Sequence, residues 1–138
     1  MCMVLYAAAD VPLRAIADDG PRPLTVRPIH GDEVSVRARF SKPHVYFLGS
    51  HSGCSCGFSY GYSPDTDPAG RESVGELGSY LAEAVGYAGP IELYACWVGD
   101  EAEPPRERAT VAATYFGRNG DEFQLAERWF AVIATPAS

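Results

Sequence analysis

The chain reads as a single α+β domain, built on a mainly antiparallel or mixed β-sheet with one principal helix near residues 73–86. Three observations predict this. Short apolar, β-prone runs recur along the chain and outnumber helical stretches. A 3.6-residue apolar period occurs once, after Ser73. Fourteen glycines and 11 prolines supply frequent turns. At 138 residues, 46% of them hydrophobic, one domain spanning the chain can bury a proper core without a disulfide or metal as an obligatory staple.

The first element is Met3 to Ala9, a continuous apolar run closed by Asp10-Val11-Pro12. Leu24 to Ile29 follows as a short strand, interrupted by Pro28 and Gly31. From Val34 to Phe40 the pattern alternates, with Val34, Val36, Ala38 and Phe40 on one side and Ser35, Arg37 and Arg39 on the other. That period of two predicts a half-buried strand. Val45 to Leu48 is uniformly apolar and fits an interior strand.

Beyond Ser73, residues Val74, Leu77, Leu81, Ala84 and Val85 share a helical face. Ser73 and Glu76 have capping-box spacing, and Gly86 or Gly89-Pro90 would end the helix. Gly75 and Gly78 each weaken it by about 1 kcal/mol relative to alanine, so tertiary packing has to hold it. Ile91 to Val98 is a further strand, followed by a charged loop from Gly99 to Arg108. Thr110 to Phe116 and Phe123 to Ala134 flank Asn119-Gly120, a strong hairpin signal. The start of the second of these, around Glu127 and Arg128, has an irregular alternative.

Lysine and arginine total 11 against 18 aspartates and glutamates, a formal charge of -7. Such a surface repels phosphate backbones, so nucleic acid is not an expected partner. No apolar run reaches membrane-span length, and no secretion signal opens the chain, which predicts no membrane association and a cytoplasmic location. Cysteines in that compartment are reduced. Thiol or metal chemistry then takes precedence over a disulfide framework.

The chemistry concentrates in His51-Ser52-Gly53-Cys54-Ser55-Cys56-Gly57, which holds two of the four cysteines and one of the three histidines. In extended backbone, Cys54 and Cys56 project to one side. A disulfide between them would strain a very small ring. A soft metal such as zinc is the easier occupant, although two thiolates leave a tetrahedral site incomplete. Cys2, beside the first strand, and His51 are the natural further ligands. Cys96 is another, and His44 and His30 are weaker.

A second class is a thiol-dependent enzyme or redox protein. Cys54 or Cys56 would be the nucleophile, His51 or His44 its base, and amides freed by Gly53 and Gly57 would stabilise developing negative charge. The Cys-x-Cys spacing departs from the thioredoxin-like Cys-x-x-Cys motif. A third class is a structural or interaction protein without thiol chemistry, self-associating as a homo-oligomer through an exposed strand or aromatic patch.

The remaining features are less specific. Gly49, Gly53, Gly57 and Gly61 recur every four residues but lack a phosphate-loop lysine. Asp65, Asp67, Asp100 and Glu101 do not follow calcium-loop order and read as solvated acids. Arg37 and Arg39 suit an anion or simple surface pairing. Tyr60, Tyr62, Phe47 and Phe58 would form either an aromatic wall beside the cysteines or core. No pattern identifies a small-molecule ligand.

Overall fold

The computed structural model describes residues 2–17, 20, 22–58, 68–113, 115–116 and 125–134. Six strands form one sheet: β1 (Met3–Ala9), β2 (Leu24–Pro28), β3 (His44–Ser50), β4 (Ile91–Trp97), β5 (Glu107–Ala112) and β6 (Trp129–Ala134). Their order is β2-β3-β1-β4-β6-β5. Every pairing is antiparallel except β5 with β6, which is parallel. The principal helix, α1, spans Pro68–Ala88. The protein is thus an α+β domain with a mixed sheet, as its sequence predicts.

Alternation along β1 divides the core. Met3, Leu5, Ala7 and Ala9 face α1 and join Val74, Leu77, Leu81, Ala84 and Val85 in the larger apolar cluster. Val4, Tyr6 and Ala8 face the other way and pack with Val36, Val45, Phe47, Tyr94, Cys96 and Phe130. Each fully buried leucine or valine contributes roughly 1.5–3 kcal/mol, which offsets the glycine penalties within α1. Gly89 closes the helix at φ +74°, donating its N–H to the Val85 carbonyl at 3.1 Å. Glycine enters that left-handed conformation without a Cβ clash.

Four local expectations are corrected. The predicted strand over Val34–Phe40 is a 3-10 helix, Gly31–Arg39. Its inward positions are Glu33 and Val36, with Arg39 half-buried. That is a period of three, in which side chains eclipse along a 3-10 helix. The alternating valines obscured it because Glu33, a charged residue, is the other buried anchor. Its carboxylate accepts the His30 N–H at 2.7 Å and opens the turn. Arg37 and Arg39 therefore do not share the polar face of a strand, and Arg37 instead donates to the Pro43 carbonyl at 3.0 Å.

Ser73 does not cap α1, because the helix already begins at Pro68. Proline suits a first helical turn, where its missing N–H has no helical partner to lose. The parallel pairing of β5 with β6 also rules out a hairpin between them. Asn119-Gly120 itself lies outside the described residues, as do Tyr60, Tyr62, Asp65 and Asp67. Finally, β5 ends at Ala112 and β6 begins at Trp129, so both are shorter than the predicted strands. Arg128 has φ 55° immediately before β6, consistent with the irregular alternative for that stretch.

Candidate metal centre

The cysteine-bearing segment sits where two central strands part. The β1–β3 ladder stops at Leu5 opposite Leu48, while Met3 remains paired with Trp97 on β4. A short 3-10 turn, Ser55–Phe58, enters the fork. Ser55 is completely buried there. Its hydroxyl accepts the Leu5 N–H at 2.8 Å and donates to the Leu48 carbonyl at 2.6 Å, standing in for the missing ladder bonds. Phe58 anchors the turn in the helix-side core.

Ser50, the last residue of β3, shapes the turn from its other end. Its N–H and hydroxyl both donate to the Cys54 carbonyl, at 2.8 and 2.6 Å. Gly53 supplies the reversal at φ +88°. Gly57 leaves space for the His51 ring, whose Cε1 would lie 2.6 Å from a Cβ at that position. These constraints fix the backbone from which both cysteine side chains project.

The result brings three sulfurs together. Ligand atoms of Cys2, Cys54 and Cys56 all lie within 4.8 Å of one another. Cys2 reaches the group by leading into β1, and its carbonyl accepts the Val98 N–H at 2.9 Å. Cys56 is turned toward β1, where its sulfur accepts the Met3 N–H at 3.2 Å. Cys54 Sγ lies 3.6 Å from the Ser52 hydroxyl. The distances suit a soft-metal site after a small contraction, since Zn–S bonds of about 2.3 Å place neighbouring sulfurs under 4 Å apart.

The thiols are not equivalent. Burial opposes ionisation of Cys54, but hydrogen bonds from Ser52, the Cys56 backbone and the neighbouring thiols lower its pKa overall. Cys56 is pushed up to about 11, by burial first and then by its proximity to Cys54, against the opposing Met3 N–H. Cys54 is therefore the first of the pair to become a thiolate.

His51 is not in this group. Its Nδ1 lies 3.1 Å from the Ser73 hydroxyl, which also accepts the His51 N–H at 3.0 Å. The imidazole thus faces α1. Cys96 is fully buried beside Val4 and Tyr94 on the sheet face away from α1, and burial raises its pKa to about 12. His44 pairs with Ala9 at the far end of β1, and His30 precedes the 3-10 helix at Gly31. Phe47 and Phe58 belong to different cores, so these two do not form one aromatic wall.

A neighbouring polar network escapes the sequence patterns. Tyr6 is fully buried, and its hydroxyl donates to Glu101 Oε2 at 2.9 Å while Glu33 Oε2 stands at 3.3 Å. Burial, then the Glu101 hydrogen bond and the two carboxylate charges, keep the phenol protonated. Glu33 meets Arg27 in a fork at 2.8 and 3.2 Å. Burial resists its ionisation, but Arg27, the His30 N–H and Tyr6 outweigh that cost and lower its pKa. A buried tyrosine in an apolar strand does signal a required hydroxyl partner. Nothing in the sequence distinguishes Glu33 or Glu101 from surface acids.

Compared with known proteins, the chain matches no protein-family model, no curated protein and no solved structure. Its chemical character therefore rests on the site: a small α+β domain carrying a three-thiol cluster at a fork in its sheet. Among the described residues, no helix is long and apolar enough to cross a membrane.

Proposed function

We propose that the protein binds a soft metal ion, with zinc as the first choice, through Cys2, Cys54 and Cys56. One observation carries this reading: the mutual approach of three sulfurs from two distant chain segments within 4.8 Å. Thiolates favour zinc and copper(I) over hard cations. Zinc requires no redox change, and three protein ligands leave it a fourth position for a further donor.

The direct test is elemental analysis of protein purified reduced and without chelator, followed by cadmium titration monitored by thiolate charge-transfer absorption. Approximately one equivalent, lost together in Cys2→Ser, Cys54→Ser and Cys56→Ser, is expected for a shared site. Less than about 0.1 equivalent, with no cadmium–thiolate band, would reject it.

The lowered pKa of Cys54 favours one second reading, a reactive or redox-active thiol. In that case mild oxidation of the metal-free protein joins Cys54 to Cys2 or Cys56, and peptide mapping identifies the bridge. Cys54 remaining a free thiol throughout would rule out this alternative.

A further inference from the structure

Cys2, Cys54, Tyr6, Glu33 and Glu101 all line one cleft of about 430 Å³. That volume falls within the usual range for small-molecule sites, roughly 300–1,000 Å³. Cys56 is not part of the lining, as its sulfur is turned back to the Met3 N–H. An ion held by all three sulfurs would therefore have protein on the Cys56 side and the cleft on the Cys2/Cys54 side. Three donors leave a tetrahedral ion one position short.

Charge defines what can enter. Arg27, the cation in the lining, forks onto Glu33 and lies over the Phe47 ring at 4.2 Å to the centroid. Its charge is already matched. Asp32 and Glu101 also line the cleft, and among the described residues no salt bridge neutralises either. Glu101 accepts from Tyr6 and from the Gly99 N–H at 2.9 Å. A carboxylate has about four acceptor positions, so capacity remains. Three thiolates on a divalent ion add a further net negative charge.

Resting on the metal-binding reading, we infer that this cleft takes a small amino thiol, its sulfur filling the ion's fourth position and its ammonium group paired with Glu101 and Asp32. A soft donor suits a thiolate-held ion. A positive end suits the acidic lining, and Val4, Phe47 and Val98 in the same cleft offer apolar surface to a short carbon chain. On binding, the thiol gives its proton to solvent, a metal–sulfur bond forms, and a water molecule leaves the ion. Oxidation states do not change.

The test uses protein loaded with cobalt(II), whose thiolate charge-transfer band grows with each added sulfur ligand. Cysteamine, 2-mercaptoethanol and 3-mercaptopropionate present the same thiol with positive, neutral and negative tails. They are titrated below concentrations that strip cobalt, with retained metal measured after desalting. The band should grow most readily with cysteamine. Asp32→Asn, at an exposed position, and Glu101→Gln should each reduce the preference for cysteamine over mercaptopropionate by about fivefold, the effect of one ion pair worth about 1 kcal/mol. Because substitution does not change a free thiol's acidity, that reduction isolates the cleft's contribution.

A cobalt–thiolate spectrum unaffected by all three thiols overturns this inference and leaves the metal reading intact. A preference unchanged in both variants does the same. Failure to bind cobalt at all removes both.

Discussion

Two regions of one sheet treat the same side chain in opposite ways. At the fork beyond Leu5 and Leu48, Cys2, Cys54 and Cys56 converge at partly open positions. In the middle of β4, Cys96 lies fully buried opposite Val4, with Tyr94 and Phe130 in the same cluster. The difference arises from the backbone. Where the ladder is continuous, a cysteine is a small apolar filler. Where it opens, a turn enters and carries sulfur toward sulfur.

Alkylation of the reduced, metal-free protein provides the widest separation. Cys54 should label first at neutral pH, because its lowered pKa supplies thiolate. Cys96 should label at least about 1,000-fold more slowly, since exposure requires opening a core stabilised by several kcal/mol. Comparable rates in a mass-spectrometric time course would show that β4 is not the closed interior described above.

Metal affinity comes next. Loss of any one converging thiolate should weaken binding by at least about 100-fold, the upper range for merely disturbing an outer partner. Cys96→Ser should leave affinity within about threefold of the parent, consistent with no direct contact to the ion. Competition against a colour-forming chelator measures both, and an equal loss from Cys96→Ser would erase the distinction between the two regions.

Stability is the next readout. Glu33→Gln removes the charge gripped by Arg27 and should cost about 1.5–3 kcal/mol at neutral pH, as expected for charge-assisted bonds. The lowered pKa of Glu33 fixes the sign: its contribution is present above the ordinary carboxylate range and disappears as pH falls through the folded value. Urea melts of parent and variant should therefore converge on acidification. A gap that widens in acid would refute the assignment.

The smallest effects separate the two cysteine positions: Cys96→Ser should cost about 1–2 kcal/mol from placing a hydroxyl among Val4, Tyr94 and Phe130. Cys54→Ser should cost less than about 0.5 kcal/mol in metal-free protein, as its position is only partly buried. Reversal of that order in denaturant melts would mean that the fork, not the strand interior, limits folding.

The parts of the fold legible in sequence were those with one dominant apolar pattern: Met3–Ala9, Val45–Leu48, Ile91–Val98 and the helical face from Val74. Val34–Phe40 misled because a 3-10 helix buries every third residue, and its first anchor, Glu33, carries a charge. The parallel β5–β6 pair was hidden because Asn-Gly encourages a local hairpin reading, whereas pairing direction is set by the whole connection. At the site, Cys2 was legible as a candidate ligand beside the first strand, but its approach to Cys54 and Cys56 depends on the pairing of β1 with β3. The orientation of His51 did not, since it depends on Ser73, 22 positions away. Glu33 and Glu101 were invisible because burial of a carboxylate leaves no local sequence mark.

Ser55 gives the fork a mechanical meaning. Its hydroxyl is a wedge bonded to both diverging backbones, at Leu5 and Leu48, and the residues on either side of it carry the sulfurs that meet Cys2. An ion clasped there would rivet the tip of an inner strand to the wedge. Pulled along β1, the loaded sheet would tear at higher force than the empty one, because the seam where it would otherwise begin to peel would already be fastened.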